Sequence, residues 1–322
     1  MSYSCYSNFI EFIEGLIKQK QSLGYPYKSS GDILYMFDKY CIKQFPKEKN
    51  LTRDIVMGWA SLKENEHQNG LLRRVTPVRQ LAKYMNSIGI EAYVIPPKIP
   101  KKQIRYVPHI FTSHQLKAFF QSVDSCKKSS FSLGRHLVVS VFFRVLYCCG
   151  LRCSENRLLY VSDVDLEAGT LYIRQSKGHK DRLVYLSDDV LSLCRTYDKK
   201  IKKLYPQRTA FFPNQNGGFY SRGTIVCWFH LFWDDLPVAK SCPGNYPRAY
   251  DFRHVFAVNR LNHWVEEGKD INAYLPYLSI YMGHCNQVDT DYYLHLVPEF
   301  FPVFKKRAGS LSENLIPEVG HE

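Results

Sequence analysis

Four separated stretches of the sequence carry side chains that are suited to chemistry. In chain order they are box 1, GLRCSENRLL at 150–159; box 2, SKGHKDR at 176–182; box 3, YDFRHVFA at 250–257; and box 4, MGHCNQVDTDYYLHL at 282–296. Among their side chains, two guanidinium groups, an ammonium, an imidazole and a phenol are the candidates for catalysis: Arg152, Arg253, Lys177, His284 and Tyr293. Transesterification of a phosphodiester needs a nucleophile, cations that stabilise the transition state and a proton for the leaving oxygen. These residue types therefore suit phosphoryl transfer.

Arg152 and Arg253 are the predicted phosphate clamps. A guanidinium stays ionised and holds two phosphate oxygens through parallel N–H groups. The alternative is that the two arginines lie on the surface or at an interface. His284 follows Gly283 and is predicted to donate a hydrogen bond to a non-bridging phosphate oxygen, although a histidine at such a place can also cap a helix end.

In this order and at these spacings, the four boxes resemble the catalytic boxes of the tyrosine recombinase, or phage integrase, family. The resemblance covers residues 110–300, and four boxes in the correct order are far more specific than any one of them. It implies an enzyme that cleaves and rejoins DNA through a 3′-phosphotyrosine and a free 5′ hydroxyl. Because the covalent link retains the energy of the phosphodiester, neither a metal nor a nucleotide cofactor is expected.

The resemblance also implies roles for residues of boxes 1 and 2. Lys177, at a predicted hairpin tip, is the implied general acid for the leaving 5′ hydroxyl, since nearby cations or partial burial lower the pKa of an ammonium. Lys180 is expected to contact a backbone phosphate instead. Glu155 lies three residues after Arg152, on the same side of a helix. It is implied to support the basic active-site residues, with an ordinary salt bridge as the alternative.

The implied nucleophile belongs to a pair of adjacent tyrosines, Tyr292 and Tyr293. The family's spacing from the glycine–histidine pair at 283–284 favours Tyr293. Neighbours on a helix point about 100° apart, so only one of the two can face the phosphate. Tyr292 is then expected to pack or to fix the turn.

Tyr250 departs from the family pattern, which usually has a histidine three residues before the second arginine. A tyrosine, with a reference pKa near 10, is a poor base at neutral pH. The expected role of Tyr250 is therefore positioning, unless another group removes the proton of the nucleophile. His254 is one candidate for that task, although it also matches a family position of structural character.

The N-terminal part of the chain is predicted to be a separate helical domain. Apolar residues recur at three- and four-residue steps in four segments of residues 1–95, which predicts four helices. This domain is similar in kind to the family's SAM-like core-binding domain. Residues 96–108 are predicted to be an extended linker, because their prolines exclude a continuous helix. The basic residues of the linker are candidate DNA contacts, with a solvated basic linker as the alternative: Lys98, Lys101, Lys102 and Arg105.

Residues 109–302 are predicted to form the catalytic domain, and residues 303–322 a C-terminal tail. An almost wholly apolar segment at 137–149 predicts a buried helix. Within residues 170–186, apolar and polar residues alternate on both sides of a basic turn, which predicts a β-hairpin. Helical patterns return beyond it, so the predicted fold class is α+β, mainly α with a small antiparallel sheet.

The composition favours a polyanionic partner. The 322 residues carry a formal net charge of +13 and a pI of about 9.2. This charge favours nucleic acid as the partner over an anionic membrane surface, and over the alternative of a basic protein without such a partner. No stretch reaches the roughly 18 apolar residues of a membrane span, and the N-terminus does not resemble a signal peptide. A cytoplasmic, nucleoid-associated protein is expected. The ten cysteines show no metal-binding spacing and are predicted to be mainly reduced, buried thiols.

Because recombination exchanges four strands, we expect a tetramer on two paired double-stranded DNA sites. Off DNA we expect a monomer or a dimer. Accessory recombinases are further expected partners. In the family, a segment after the nucleophile docks on the next protomer, and residues 300–304 with Leu311 and Leu315 are candidates for that contact. Integration, excision or transposition of a mobile element is the expected setting. The alternatives are a topoisomerase- or resolvase-like enzyme, which does not need two matched sites, and a catalytically silent DNA-binding protein.

Overall fold

The chain divides into two compact units, Met1–Tyr106 and Val107–Glu322. A computed structural model describes residues 6–100, 106–130, 132–174, 181–240, 246–286 and 288–296, with 295 and 296 as backbone alone. Each unit has its own apolar core. None of the helices in these ranges is both long and apolar enough to cross a bilayer.

The described part of the first unit is a domain of four helices, as the apolar periodicity predicts. They are α1 (Ile10–Ser22), α2 (Lys28–Gln44), α3 (Arg53–Trp59) and α4 (Gln68–Ser87). The repeating apolar residues Val75, Val78 and Leu81 of α4 are fully buried. Burial of one such side chain contributes about 1.5–3 kcal/mol, so the packed apolar faces stabilise these helices more than their intrinsic propensity does.

The chain that follows α4 remains bound to the first unit through Arg79. The Arg79 guanidinium donates hydrogen bonds to three carbonyl oxygens: Ile95 at 2.9 Å, Pro96 at 3.0 Å, and Ile99. Residues 96–100, the beginning of the predicted linker, are therefore packed on this unit, with Lys98 exposed. The other basic linker residues lie outside the described ranges: Lys101, Lys102 and Arg105.

The second unit is mainly helical with a small antiparallel sheet, which confirms the predicted fold class. Its α-helices are α5 (Ser113–Asp124), α6 (Arg135–Cys148), α7 (Cys153–Arg157), α8 (Asp188–Leu204), α9 (Arg222–Trp233), α10 (Pro237–Lys240), α11 (Asp251–Glu266), α12 (Ile271–Met282) and α13 (Val288–Asp291). Two 3-10 helices span Val161–Asp163 and Tyr292–Leu296. The predicted buried helix at 137–149 corresponds to α6, which buries Val138, Phe142 and Leu146 among others.

Strands β1 (Val164–Asp165), β2 (Thr170–Ile173) and β3 (Arg182–Tyr185) pair antiparallel in that order. Leu171 lies opposite Val184, and both side chains are fully buried, so one face of the hairpin packs on the core. The predicted β-hairpin is thereby confirmed in its strands. Its turn, residues 175–180 with Lys177 and Lys180, lies outside the described residues.

The cysteines of the described ranges carry free thiols. Three of them are buried and three are exposed: Cys41, Cys149 and Cys194, and Cys148, Cys227 and Cys285, respectively. The burial that the sequence analysis expects for most of the cysteines is therefore found for only part of this set. Within the same ranges, no group of three histidine, cysteine or acidic side chains is placed to hold a metal ion.

Two glycines with left-handed backbone conformations turn the chain into the region of the boxes. Gly150, with φ of +59°, follows α6, and a Cβ atom there would collide with the ring of Phe256. Gly283, with φ of +64°, ends α12. Glycine adopts this conformation without the steric cost that other residues meet. The two turns place Arg152 and His284 directly after the ends of packed helices.

Candidate active site

Arg152 stands at the N-terminus of α7, two residues after the turn at Gly150. Its guanidinium donates to Glu155 Oε1 at 2.6 Å and to the carbonyl oxygen of Gly283 at 2.6 Å. The second bond joins box 1 to box 4 across 131 residues of sequence. Arg152 is therefore bound to the loop that carries His284.

Glu155 connects arginines from three of the boxes in the interior of the unit. Its side chain is 6% exposed, and its two oxygens accept from Arg182 at 2.9 and 2.8 Å. Oε2 also accepts from the backbone N–H of Arg152 at 2.8 Å and lies 4.0 Å from Arg253 Nη1. The carboxylate thus fixes the positions of the three guanidinium groups relative to one another.

The sequence did not single out Arg182, which begins β3 and contributes to this network. Its side chain is 8% exposed, and Nε donates to the carbonyl oxygen of Tyr281 at 2.7 Å. Arg182 therefore ties the sheet to both Glu155 and the end of α12. The available sequence signal was a third cation at the end of box 2, which spacing alone does not distinguish from Lys180.

The Glu155 carboxyl is held in its ionised form. Burial by itself would raise its pKa, but the hydrogen bonds and charge of Arg182, the amide of Arg152 and the charge of Arg253 outweigh burial and lower the pKa to about 2. A carboxylate that accepts several charge-assisted hydrogen bonds behaves in this way. At neutral pH, Glu155 is therefore a fixed negative charge among the arginines.

Glu155→Gln should lower the free energy of unfolding at neutral pH by about 3 kcal/mol, and the loss should disappear in acid. The folded pKa of Glu155, about 2, lies below the unfolded value of roughly 4.3, so the carboxylate stabilises the fold above the unfolded value. That contribution is lost as the pH falls through the folded pKa. Denaturant unfolding at a series of pH values measures both effects.

The matched control is Glu91→Gln, which neutralises an exposed glutamate of the first unit. It should leave the difference between neutral and acid stability as it is in the wild-type protein. A Glu155→Gln curve that runs parallel to the wild-type curve at all pH values would contradict a stabilising buried carboxylate.

Arg253 is fully buried near the start of α11. Its Nη1 donates to the carbonyl oxygen of Gly150 at 2.7 Å, and its Nη2 donates to that of Met282 at 2.5 Å. Burial lowers the pKa of Arg253, and the neighbouring Tyr293 opposes this shift. Among the described residues, Arg253 Nε has no hydrogen-bond partner. A buried N–H without a partner is costly unless a ligand supplies an acceptor, and an anionic oxygen fits that requirement.

His284 and Tyr293 of box 4 lie face to face. Nδ1 of His284 is 2.6 Å from Oγ1 of the fully buried Thr290, which fixes the imidazole ring. The ring centroids of His284 and Tyr293 are 5.9 Å apart, and the planes differ by 19°. The predicted phosphate-binding histidine and the predicted nucleophile are thus neighbours.

Tyr293 is the buried member of the tyrosine pair, with 3% of its surface exposed. Burial raises its pKa to about 12, although the charge of Arg253 and a hydrogen bond from it act in the opposite direction. Both tyrosines lie in a 3-10 helix, in which neighbouring side chains point about 120° apart. Tyr292 is more exposed, and Tyr293 is the one that faces Arg253.

The ring of His254 lies between two tyrosines. Its centroid is 5.2 Å from that of Tyr250 and 5.4 Å from that of Tyr293. His254 is 9% exposed, and burial, followed by the charges of Arg253 and Arg248, lowers its pKa to about 4. The imidazole is therefore neutral at pH 7. Tyr250 precedes α11 and is 38% exposed.

The structure brings six of the residues predicted for the site into one region of the second unit: Arg152, Glu155, Tyr250, Arg253, His284 and Tyr293. His254, the alternative base that the sequence offers, lies in the same region, and the structure adds Arg182. Lys177 and Lys180 lie outside the described residues, and Lys98 belongs to the first unit.

Proteins similar to this chain include integrases and tyrosine recombinases. A sequence model of the phage integrase family matches residues 110–299. The putative integrase/recombinase y4rE of Sinorhizobium fredii is 30% identical over 295 residues, which cover 88% of this chain and 90% of that protein. Tyrosine recombinase XerA of Thermococcus kodakarensis is 27% identical over 266 residues, which cover 80% of this chain and 82% of that protein.

Two solved structures share the fold. XerH site-specific recombinase bound to palindromic difH substrate superposes with a TM-score of 0.62 at 18% identity, covering 89% of this chain and 80% of that one. The Tn1549 transposon integrase in complex with transposon right end DNA superposes with a TM-score of 0.61 at 15% identity, covering 94% and 99%.

The mainly helical fold with its small sheet, together with the family match over residues 110–299, defines a tyrosine-type DNA recombinase. The chain belongs to the phage integrase family, whose sequence model spans more than half of its length.

Proposed function

We propose that this recombinase cuts and rejoins DNA at specific sites through a covalent bond between Tyr293 and a 3′ phosphate. The observation that carries the proposal is a convergence at the end of α12. Arg253 of box 3 donates to the carbonyl oxygen of Met282, and Arg152 of box 1 donates to that of Gly283. The next residue, His284, faces Tyr293. Side chains from distant parts of the chain therefore meet around one nucleophile.

In the proposed cleavage step, Tyr293 Oη attacks the scissile phosphorus and the bond from phosphorus to the 5′ oxygen breaks. Arg152, Arg253 and His284 donate hydrogen bonds to the non-bridging oxygens, where negative charge grows in the transition state. Lys177 gives a proton to the departing 5′ oxygen. Rejoining reverses these steps with the 5′ hydroxyl of a partner strand. Since one phosphodiester is exchanged for another, no nucleotide is consumed.

In this mechanism, the phenolic proton of Tyr293 is transferred to His254. The imidazole lies beside the Tyr293 ring and is neutral at pH 7, so it has a free lone pair, but the burial that lowers its pKa also weakens it as a base. A bound phosphate adds negative charge nearby, which raises the pKa of the imidazole and strengthens it as a base. Tyr250 packs against His254 and holds the ring in position.

We further propose how the chain contacts DNA. Residues 1–95 act as the core-binding domain and residues 109–302 as the catalytic domain, joined by the basic linker at 96–108. Cations of the linker and of box 2 bind backbone phosphates, which position the protein without reading sequence: Lys98, Lys101, Lys102, Arg105 and Lys180. The net charge of +13 supports this assignment.

The working assembly that we propose is a tetramer on two paired sites of a mobile element, with a monomer or dimer off DNA and accessory recombinases as further partners. Residues 303–322 dock on the next protomer in a head-to-tail ring. The similarity to y4rE, named as an integrase/recombinase, supports integration or excision as the setting.

A nicked suicide duplex tests the chemistry. The recombination site is identified by paired inverted repeats in the DNA that flanks the gene. The nick lets the short fragment that carries the new 5′ hydroxyl diffuse away after cleavage. We expect the protein to become linked to the 3′ end of the cut strand. We also expect the new 5′ end to accept phosphate from polynucleotide kinase without prior phosphatase treatment. A protein linked to the 5′ end would overturn the proposed polarity.

The requirement for two sites separates recombination from its nearest alternative. Supercoiled plasmids that carry one or two copies of the site should give recombinant products only with two copies. Efficient relaxation of the one-site plasmid, without recombinants from the two-site plasmid, would favour a topoisomerase-like enzyme.

A further inference from the structure

A cavity of about 530 Å³ adjoins the active site in the second unit. Residues of α7, α9 and the segment that precedes α11 line it, and Arg152 and Tyr250 belong to its wall. This volume lies in the range of about 300–1,000 Å³ that is typical of small-molecule sites. The proposed strand-exchange chemistry uses Arg152 but leaves the cavity itself unexplained.

The wall of the cavity is strongly basic. Four guanidinium groups line it: Arg152, Arg157, Arg222 and Arg248. Arg222 is exposed at the first residue of α9, and Arg157 is partly buried, where its Nη1 donates to the carbonyl oxygen of Tyr220 at 2.6 Å. None of the described lining residues is acidic. Arg152 and Arg248 are paired with Glu155 and Asp251, at 2.6 and 3.5 Å, but the four guanidinium groups still give the site a net positive charge that suits an anionic ligand.

The remainder of the lining is apolar and includes an accessible aromatic ring. Ile225, Phe229 and Ala249 are buried beneath the cavity, whereas the side chains of Val226 and Tyr250 are 46% and 38% exposed. An apolar lining with an exposed aromatic ring, next to guanidinium groups, suits a nucleotide, which combines a stacking base with a phosphate. Free phosphate would need the arginines but not the apolar surface.

We propose that this cavity binds an unpaired DNA nucleotide next to the scissile phosphate. The inference rests on the proposed function, because Arg152 belongs both to the phosphate clamp and to the cavity wall. A strand that moves from one duplex to another must leave its complementary bases, so nucleotides beside the cut become unpaired. The base stacks on Tyr250, and the backbone phosphate binds Arg222 and Arg248. A tyrosine at position 250 offers a larger stacking face than the histidine that is usual in the family.

A binding experiment with Arg222→Gln tests this inference. Arg222 is exposed, so the substitution should leave the melting temperature of the protein unchanged. The probes are a fluorescent single-stranded oligo-dT of twelve nucleotides and a blunt DNA duplex of the same length. We expect the affinity for the single strand to fall about tenfold and that for the duplex to change by less than about twofold. Arg260→Gln, on the exposed part of α11 about 15 Å beyond Tyr250, is the matched control and should change neither.

Photocrosslinking locates the base directly. An oligo-dT that carries one 5-iododeoxyuridine should crosslink to the peptide that contains Tyr250, and Arg222→Gln should reduce the yield. Equal losses for single strand and duplex would overturn the inference, since Arg222 would then be an ordinary backbone contact. Crosslinks confined to other peptides would overturn it as well. So would unchanged DNA binding with loss of self-association, because the cavity would then hold a protein segment such as residues 303–322.

Failure of this inference can be told apart from failure of the proposed chemistry. The binding and crosslinking assays do not require cleavage and work equally well with Tyr293→Phe. A positive cavity test without a covalent adduct would reject the chemistry alone. A covalent adduct with a negative cavity test would reject the nucleotide site alone.

Discussion

Tyr293→Phe should abolish covalent attachment to DNA and lower the rate of strand cleavage by about 10⁴-fold or more, because it removes the attacking oxygen. The fold should survive the change. Tyr293 is 3% exposed and packs its ring against those of His254 and His284, and phenylalanine keeps that ring. Formation of the adduct on the nicked duplex, followed by denaturing gel electrophoresis, measures the loss.

Tyr292→Phe is the matched control, since it removes the same atom from the adjacent residue. Tyr292 is more exposed and is turned about 120° away along the 3-10 helix. We expect this variant to form the adduct at a rate within about threefold of wild type. Loss of the adduct in Tyr292→Phe with retention in Tyr293→Phe would reverse the assignment.

Arg253→Lys should lower the rate of strand cleavage by about 10²- to 10³-fold while keeping the positive charge. Arg253 binds two carbonyl oxygens through the planar guanidinium and keeps its Nε–H available for a ligand. Lysine has no such planar set of N–H groups. The carbonyls of Gly150 and Met282 would lose their donors. We therefore also expect a loss of about 1–3 kcal/mol for each unpaired group in the free energy of unfolding.

Single-turnover cleavage at saturating DNA, with denaturant unfolding in parallel, separates the two effects of Arg253→Lys. Arg260→Lys makes the same substitution on the exposed part of α11 and should change neither quantity appreciably. Cleavage at the wild-type rate by Arg253→Lys would show that charge alone, without guanidinium geometry, is enough at this position.

The parts of the fold and site that the sequence predicts are those with local signals. The four helices of the first unit follow from apolar periodicity, and the strands of the hairpin follow from the alternation of apolar and polar residues. Arg152, Arg253, His284 and Tyr293 stand in boxes whose order and spacing are themselves informative. Gly150 and Gly283 accompany two of these boxes because tight left-handed turns at helix ends need glycine.

The remaining features depend on contacts between distant residues. Arg182 differs from its neighbour Lys180 through its pairing with Glu155, which only the packing of β3 against α7 and α12 makes visible. His254 is a candidate base from its place in box 3, but only the fold shows that its ring lies between those of Tyr250 and Tyr293. The cavity beside Arg152 has no local signal either, since α7, α9 and the segment before α11 each contribute one part of its wall.

The most direct test of the central claim is to identify the amino acid that holds the DNA. The adduct from the nicked duplex is digested with nuclease and protease, and tandem mass spectrometry locates the residual nucleotide on the peptide. The nucleotide should be found on Tyr293, joined through its 3′ phosphate. A nucleotide on Tyr292, on another residue, or joined through a 5′ phosphate would contradict the mechanism.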